Sequence, residues 1–258
     1  MATALAEGWS LAEAGPDKLM FSDVDEARAR ALAERVGGQR ASSNRELADS
    51  ADVVVLAVKP DVLEPVAQDI RVTIGERGLP VASILAATSI ATLEAALGQG
   101  TQILRLMPNV AAGVRAGTFC YTAGHTLDGR TSRSLVDLFG LLGDMVEIQE
   151  KLMDAATAIS GCGPAFFALV VEALVDAGVR EGLTADQATT LAVSTMAGTA
   201  ELLRRGSADP ALLRRRVTSP GGTTAAGLAA LEEHGARAAF GAAVEAVVER
   251  AAEMQRSG

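Results

Sequence analysis

A chain of 258 residues, 49% of them hydrophobic, has the apolar content for a sizeable core and room for two domains of ordinary size. A formal net charge of −9 argues against non-specific binding to nucleic acid, and the basic run Arg214-Arg215-Arg216 reads as a solvated helix end. No uninterrupted apolar span reads as long enough for a membrane, no secretory signal opens the chain, and Cys120 and Cys162 form neither metal-ligand spacing nor a disulfide framework, so a cytoplasmic location is expected. Cys162, between two glycines, reads as a small buried residue, and His125 and His234 as ordinary surface residues.

In chain order, residues 2–14 read as a helix with no strand ahead of it. Lys18-Leu19-Met20-Phe21-Ser22 is a short apolar strand that ends at Asp23, and a helix over 26–36 follows, stopped by Gly37-Gly38. After a short helix over 44–50, the β-branched run Asp52-Val53-Val54-Val55-Leu56-Ala57-Val58 predicts a strand buried on both faces, closed by Lys59-Pro60. A helix over 62–74, a strand over 81–85, a helix over 90–97 and a strand over 102–106 complete the alternation. Strands alternating with helices imply a parallel sheet with helices on both faces, the architecture that binds nucleotides. Past residue 150 the pattern is helical, over 164–181, 185–205, 210–216, 225–233 and 236–254. Two domains are therefore expected, 1–150 for a dinucleotide and 151–258 all-helical. Charge-poor faces at 166–175 and 191–200 predict packing inside the second domain or against a second copy.

The most informative stretch is Ser219-Pro220-Gly221-Gly222-Thr223-Thr224. Pro220 and two glycines break the preceding helix, and the next helix starts where the hydroxyl residues stand. Backbone N–H groups freed there converge where the helix dipole favours negative charge, so a small carboxylate would fit. A plain turn followed by a Thr N-cap is the other reading. In a parallel sheet, ligands lie beyond the carboxyl ends of the strands. Three such ends carry small residues or prolines: Ala57-Val58-Lys59-Pro60, Ser83-Ile84-Leu85-Ala86-Ala87 and Arg105-Leu106-Met107-Pro108-Asn109. A fourth tight stretch, Ser160-Gly161-Cys162-Gly163-Pro164-Ala165, opens the helical half.

Taken together, these motifs resemble the pyrroline-5-carboxylate reductases across essentially the whole chain, most specifically at Val217-Thr218 and the Ser219–Thr224 stretch that follows. The resemblance implies a Rossmann-like dinucleotide-binding domain, an all-α dimerisation domain, a homodimer that in many members assembles into a homodecamer, and hydride transfer from NADP(H), with NAD(H) as the alternative, to a cyclic imine. It assigns the substrate to Ser219, Gly221, Gly222, Thr223 and Thr224, with the Thr224 hydroxyl on the ring nitrogen as the catalytic contact. It assigns the cofactor to Ser22, Asn44, Ala57, Val58, Lys59, Pro60, Ala86 and Asn109. Ser22 matches a position that can meet a 2′-phosphate, whereas Asp23 beside it favours free ribose hydroxyls.

This chain departs from the family at its start, where a first strand and a Gly-x-Gly-x-x loop precede the helix that here begins at Met1. The missing strand belongs at the centre of the sheet and the missing loop holds the pyrophosphate, so their loss should open the core and weaken dinucleotide binding. Roughly ten or more upstream residues are expected in the functional protein, an expectation that an intact mass from the native source tests. Ser207 is a smaller departure, falling where some members carry a glutamate. Two alternatives stand beside the reductase: an enzyme acting on another cyclic imine, and a non-catalytic dimer that binds a small amino acid. A β-hydroxyacid substrate fits poorly, since no lysine stands on the helix after Gly161.

Overall fold

The computed structural model describes residues 1–206 and 209–257; Ser207 lies outside them. Its contacts form two compact units, one of Met1–Pro164 joined by the chain from Ala246 onward, the other of Ala165–Glu245.

The first unit begins with α1 (Ala2–Ser10), shorter than the predicted helix over 2–14 because the chain turns at Leu11 and Ala12 onto the carbonyls of Glu7, Gly8 and Trp9. Then come β1 (Met20–Phe21), α2 (Glu26–Val36), β2 (Gln39–Arg40), α3 (Asn44–Ser50), β3 (Val54–Leu56), α4 (Leu63–Arg77), β4 (Val81–Ser83), α5 (Ile90–Leu97) and β5 (Ile103–Met107). Local signals explain their limits. Asp25 accepts from the Ala27 and Arg28 amides to start α2, and Gly37 and Gly78, both left-handed, end α2 and α4. Beyond β5 lie β6 (Gly117–Ala123), α6 (Gly129–Gly140), β7 (Gly143–Glu147) and the short α7 (Met153–Ala156). The sequence reading has no counterpart for β2, β6, α6 or β7. β2 is two residues long, β7 (Gly-Asp-Met-Val-Glu) has no buried residue, and β6 mixes hydroxyls with aromatics, so none forms an apolar run.

The main sheet has the order β3-β4-β5-β6-β7, and β1-β2 forms a separate parallel pair. The expected parallel pairing holds for β3, β4 and β5. β6 runs antiparallel to β5, because the chain reverses through a 3₁₀ turn over Val110–Val114 without a crossover helix. β3 is also less buried than its β-branched run suggested, with Val55 half-buried and Asp52 exposed. Among the described residues no strand joins β1 to β3, so each keeps one unpaired edge.

Two apolar clusters cover the main sheet. One packs Ile70, Ile74 and Leu93 of α4 and α5 against Val81 and Ile103. The other packs Leu5 and Trp9 of α1 with Leu135 and Phe139 of α6 and Phe119 of β6. Trp9 and Phe119 meet Phe139 at ring-centroid distances of 5.2 and 5.8 Å, and Trp9 Nε1 donates to the Leu138 carbonyl at 2.9 Å. Phe119 and Phe139 are fully buried, and each such side chain contributes about 2–3 kcal/mol of hydrophobic stabilisation.

In the helical half, α8 (Gly163–Arg180), α9 (Ala185–Arg205), α10 (Pro210–Arg216), α11 (Thr223–Glu233) and α12 (Ala236–Ser257) follow one another. Thr184 and Gln187 form a capping box at the start of α9. The second unit leaves Phe167, Leu169, Leu174, Leu191, Val193 and Phe240 exposed. Cys162 is half-buried, not buried as its glycine neighbours suggested. Among the described residues one helical stretch, Glu150–Arg180, is long and apolar enough by length and composition to cross a membrane, contrary to the first expectation. Gly161, Gly163 and Pro164 hide that stretch in the sequence, yet the backbone stays helical through a π turn at Thr157–Gly161 and on into α8.

Candidate functional site

Parallel pairing sets the strand ends side by side. Leu56 pairs with Ser83 and Ser83 with Arg105, so Ala57-Val58-Lys59, Ile84-Leu85-Ala86 and the residues after Met107 leave the sheet along one edge. Ala57 and Lys59 are exposed, Val58 and Ala86 half-buried, and Pro60 opens a 3₁₀ turn. Ala87 carries φ +53°, the left-handed region that a side chain disfavours. Ala87→Gly is expected to raise stability by about 1 kcal/mol, seen as a higher urea midpoint at unchanged slope. A lower midpoint would mean that the Ala87 methyl group adds packing worth more than the backbone strain.

At the end of β1, Ser22 Oγ donates to Asn44 Oδ1 at 2.8 Å, and Asn44 Nδ2 donates to Asp69 Oδ2 at 2.9 Å. Asp23 is occupied locally, accepting the Asp25 amide and lying 3.8 Å from the guanidinium of Arg28. Asn44 opens α3, whose N-cap Ser43 accepts the Glu46 amide. Hydrogen bonds from the Ser42 hydroxyl, then its amide, hold the Glu46 carboxyl below the usual carboxylate range. Thr73 Oγ1 donating to Asp49 and Arg77 to the Ala48 carbonyl strap α3 to α4, which fixes Asn44 opposite Asp69.

Asn109 is buried, with 9% of its surface exposed. Its Oδ1 accepts from the Ala111 and Thr118 amides at 3.2 and 3.3 Å, and its Nδ2 donates to the Ser160 carbonyl at 3.2 Å. It ties the end of β5 to the π turn before α8. Beside it, Arg105, with its side chain 5% exposed, pairs with Glu150 at 2.8 Å, and the same Glu150 oxygen accepts the Ile90 amide at 2.7 Å. One carboxylate therefore holds strand β5, the start of α5 and the chain leading to the helical half. Sequence reasoning missed the roles of Asp69 and Glu150. A readable signal existed for Glu150: an arginine inside the apolar run Ile103-Leu104-Arg105-Leu106 requires an acidic partner from elsewhere in the chain.

In the second unit, Ser219, Gly221, Gly222, Thr223 and Thr224 form one continuous turn into α11. Gly221 is left-handed at φ +69°. The N-cap is Gly222, without a side-chain cap, so the Thr hydroxyls are not spent on capping. Gly222 N–H donates to Ser219 O at 3.1 Å, and the first helical bond runs from Ala226 N–H to Gly222 O at 3.2 Å. The amides of Thr223, Thr224 and Ala225 have no carbonyl one turn back to reach, and they point out of the helix start. The Gly222 amide, expected in the cradle, is instead committed to the turn. His125 and His234 are both exposed, and the described residues contain no cluster of three or more residues suited to a metal.

A largely parallel α/β sheet with its candidate residues at the carboxyl ends of the strands, followed by helices with exposed apolar residues, is the Rossmann type of architecture with a second, helical domain. The family model described as NADP oxidoreductase coenzyme F420-dependent matches residues 1–87, and that for pyrroline-5-carboxylate reductase dimerisation matches 150–254. The chain is 36% identical to a pyrroline-5-carboxylate reductase of Corynebacterium melassecola, over 97% of this chain and 94% of that protein. Solved pyrroline-5-carboxylate reductases from Coxiella burnetii (TM-score 0.89, 31% identity) and, with NADP bound, from Plasmodium falciparum (0.86, 33%) each match 98% of this chain and 94% of their own. The chain belongs to the pyrroline-5-carboxylate reductase family.

Proposed function

We infer that this chain reduces 1-pyrroline-5-carboxylate to L-proline with NADP(H), the last step of proline synthesis. The near-full-length match to the Corynebacterium reductase carries the reading. The residues present fit a dinucleotide: Ala57, exposed just after β3, and Ala86, half-buried beyond β4, are small side chains past the strand ends, and a hydroxyl and an amide, Ser22 and Asn44, stand together at the end of β1. Ser22, Asn44, Ala57, Val58, Lys59, Pro60 and Ala86 would hold the cofactor, which when bound supplies the hydride that reduces the C=N carbon. Asn109 would serve that edge by shaping it.

Substrate recognition falls to the start of α11. The amides of Thr223 and Thr224 would receive the substrate carboxylate where the helix dipole favours it, with Ser219, Gly221 and Gly222 shaping the turn. The Thr224 hydroxyl would meet the ring nitrogen. A protonated imine is already electrophilic, so the protein chiefly positions it, and no general base is required. The exposed apolar faces of α8 and α9 support a homodimer, with a homodecamer as the larger assembly, acting in the cytoplasm. The test is pyrroline-5-carboxylate-dependent oxidation of NADPH by the purified chain, and no turnover would sink the reading. Thr224→Ala is expected to lower kcat about tenfold, the worth of one lost hydrogen bond, with the KM for NADPH unchanged. Unchanged kinetics would remove Thr224 from the mechanism.

A further inference from the structure

The relay from Asp69 through Asn44 to Ser22 has only one possible direction of donation. A carboxylate accepts but cannot donate to an amide, so Asn44 must turn its NH₂ to Asp69, as the 2.9 Å contact shows. Its carbonyl oxygen then faces Ser22. That oxygen can only accept, so the single hydroxyl proton of Ser22 is spent on Asn44, at 2.8 Å. Ser22 therefore presents lone pairs, not a proton, to anything beside it.

We propose that Asp69, on α4 and absent from every site reading above, is a positioning residue that sets the balance between NADP(H) and NAD(H) by fixing the direction of the Ser22 hydroxyl. The proposal rests on the reading that Ser22 and Asn44 face the adenosine ribose. A ribose 2′-hydroxyl can donate to Ser22 as it stands. A 2′-phosphate carries only acceptor oxygens and needs a donor there, so binding it requires Ser22 to release Asn44 and leave that amide oxygen without its proton. Asp69 thus imposes a cost on the phosphorylated cofactor. Asp23 cannot substitute for the relay, since its carboxylate is held by the Asp25 amide and faces Arg28. In Asp69→Asn an amide that can either donate or accept replaces the obligate acceptor, so Asn44 is no longer held to one orientation, and when it turns over its NH₂ donates to Ser22, whose proton is then free for a phosphate.

The test is calorimetric titration of the purified chain with NADP⁺ and with NAD⁺, for wild type, Asp69→Asn, Ser22→Ala and the double variant. Asp69 is exposed on a helix surface, so its replacement leaves the fold intact. The relay predicts that Asp69→Asn tightens NADP⁺ about threefold to tenfold, the worth of one hydrogen bond, while NAD⁺ changes little. It also predicts that this gain vanishes in the Ser22→Ala background. A gain that persists without Ser22 would mean that the lost charge alone acts, and would overturn the relay. If Ser22→Ala shifts the NADP⁺ to NAD⁺ ratio but Asp69→Asn does not, the cofactor site stands and the relay falls. If neither variant moves the ratio, the site reading fails and the proposal fails with it.

Discussion

Replacing Gly143 by alanine is expected to cost more than about 4 kcal/mol, beyond the ordinary range for a single substitution. Gly143 opens β7 at φ +152°, paired with Gly117 of β6, whose amide donates to the Leu142 carbonyl at 2.9 Å. A β-carbon at Gly143 would fall within the backbone of Gly117, which cannot move aside without breaking the β6-β7 pairing. The readout is built in. The chain has one tryptophan, Trp9, which lies buried against Phe139 on the face that β6 helps to form. Gly143→Ala should give red-shifted tryptophan emission and a much lower urea midpoint. A wild-type midpoint would show that β7 can separate from β6 at no cost.

Glu150→Ala is expected to cost about 3 kcal/mol, because it leaves Arg105 as a buried cation without its partner. The Arg105 side chain is 5% exposed whereas that of Glu150 is 34% exposed, so solvent reaches the carboxylate, and the cost lies at the lower end for a broken buried pair. The Ile90 amide at the head of α5 loses its acceptor as well. Replacing both residues by leucine should recover most of the loss, since an apolar pair needs no compensating charge. Chemical unfolding of the wild type and the two variants checks this. A double variant as unstable as Glu150→Ala would place the cost in the lost cap at Ile90, not in the orphaned cation.

Elements defined by neighbouring residues were legible in the sequence. The limits of α2, α3, α5, α9 and α10 follow from caps, glycines and prolines within a few positions, and these helices match the predicted spans. The start of α11 was legible for the same reason, although it begins two residues earlier than the apolar periodicity indicated, because the N-cap is a glycine and the hydroxyls lie inside the first turn. β6 and β7 escaped because neither strand is an apolar run; their pairing with the sheet makes them strands.

The sequence by itself determined the strand-helix alternation from β3 to β5, the run of helices from α8 onward, the motifs at the strand ends, and the glycine-threonine turn that starts α11, since each rests on short-range backbone preference. Only the tertiary structure decided the antiparallel return of β6, the separation of β1-β2 from the main sheet, and the partners of Arg105, Asn44 and Asn109. Arg105 and Glu150 are 45 residues apart in the chain, and no local preference records such a pairing. Burying a charge or an amide obliges the fold to supply a partner, and which residue supplies it depends on how distant elements pack.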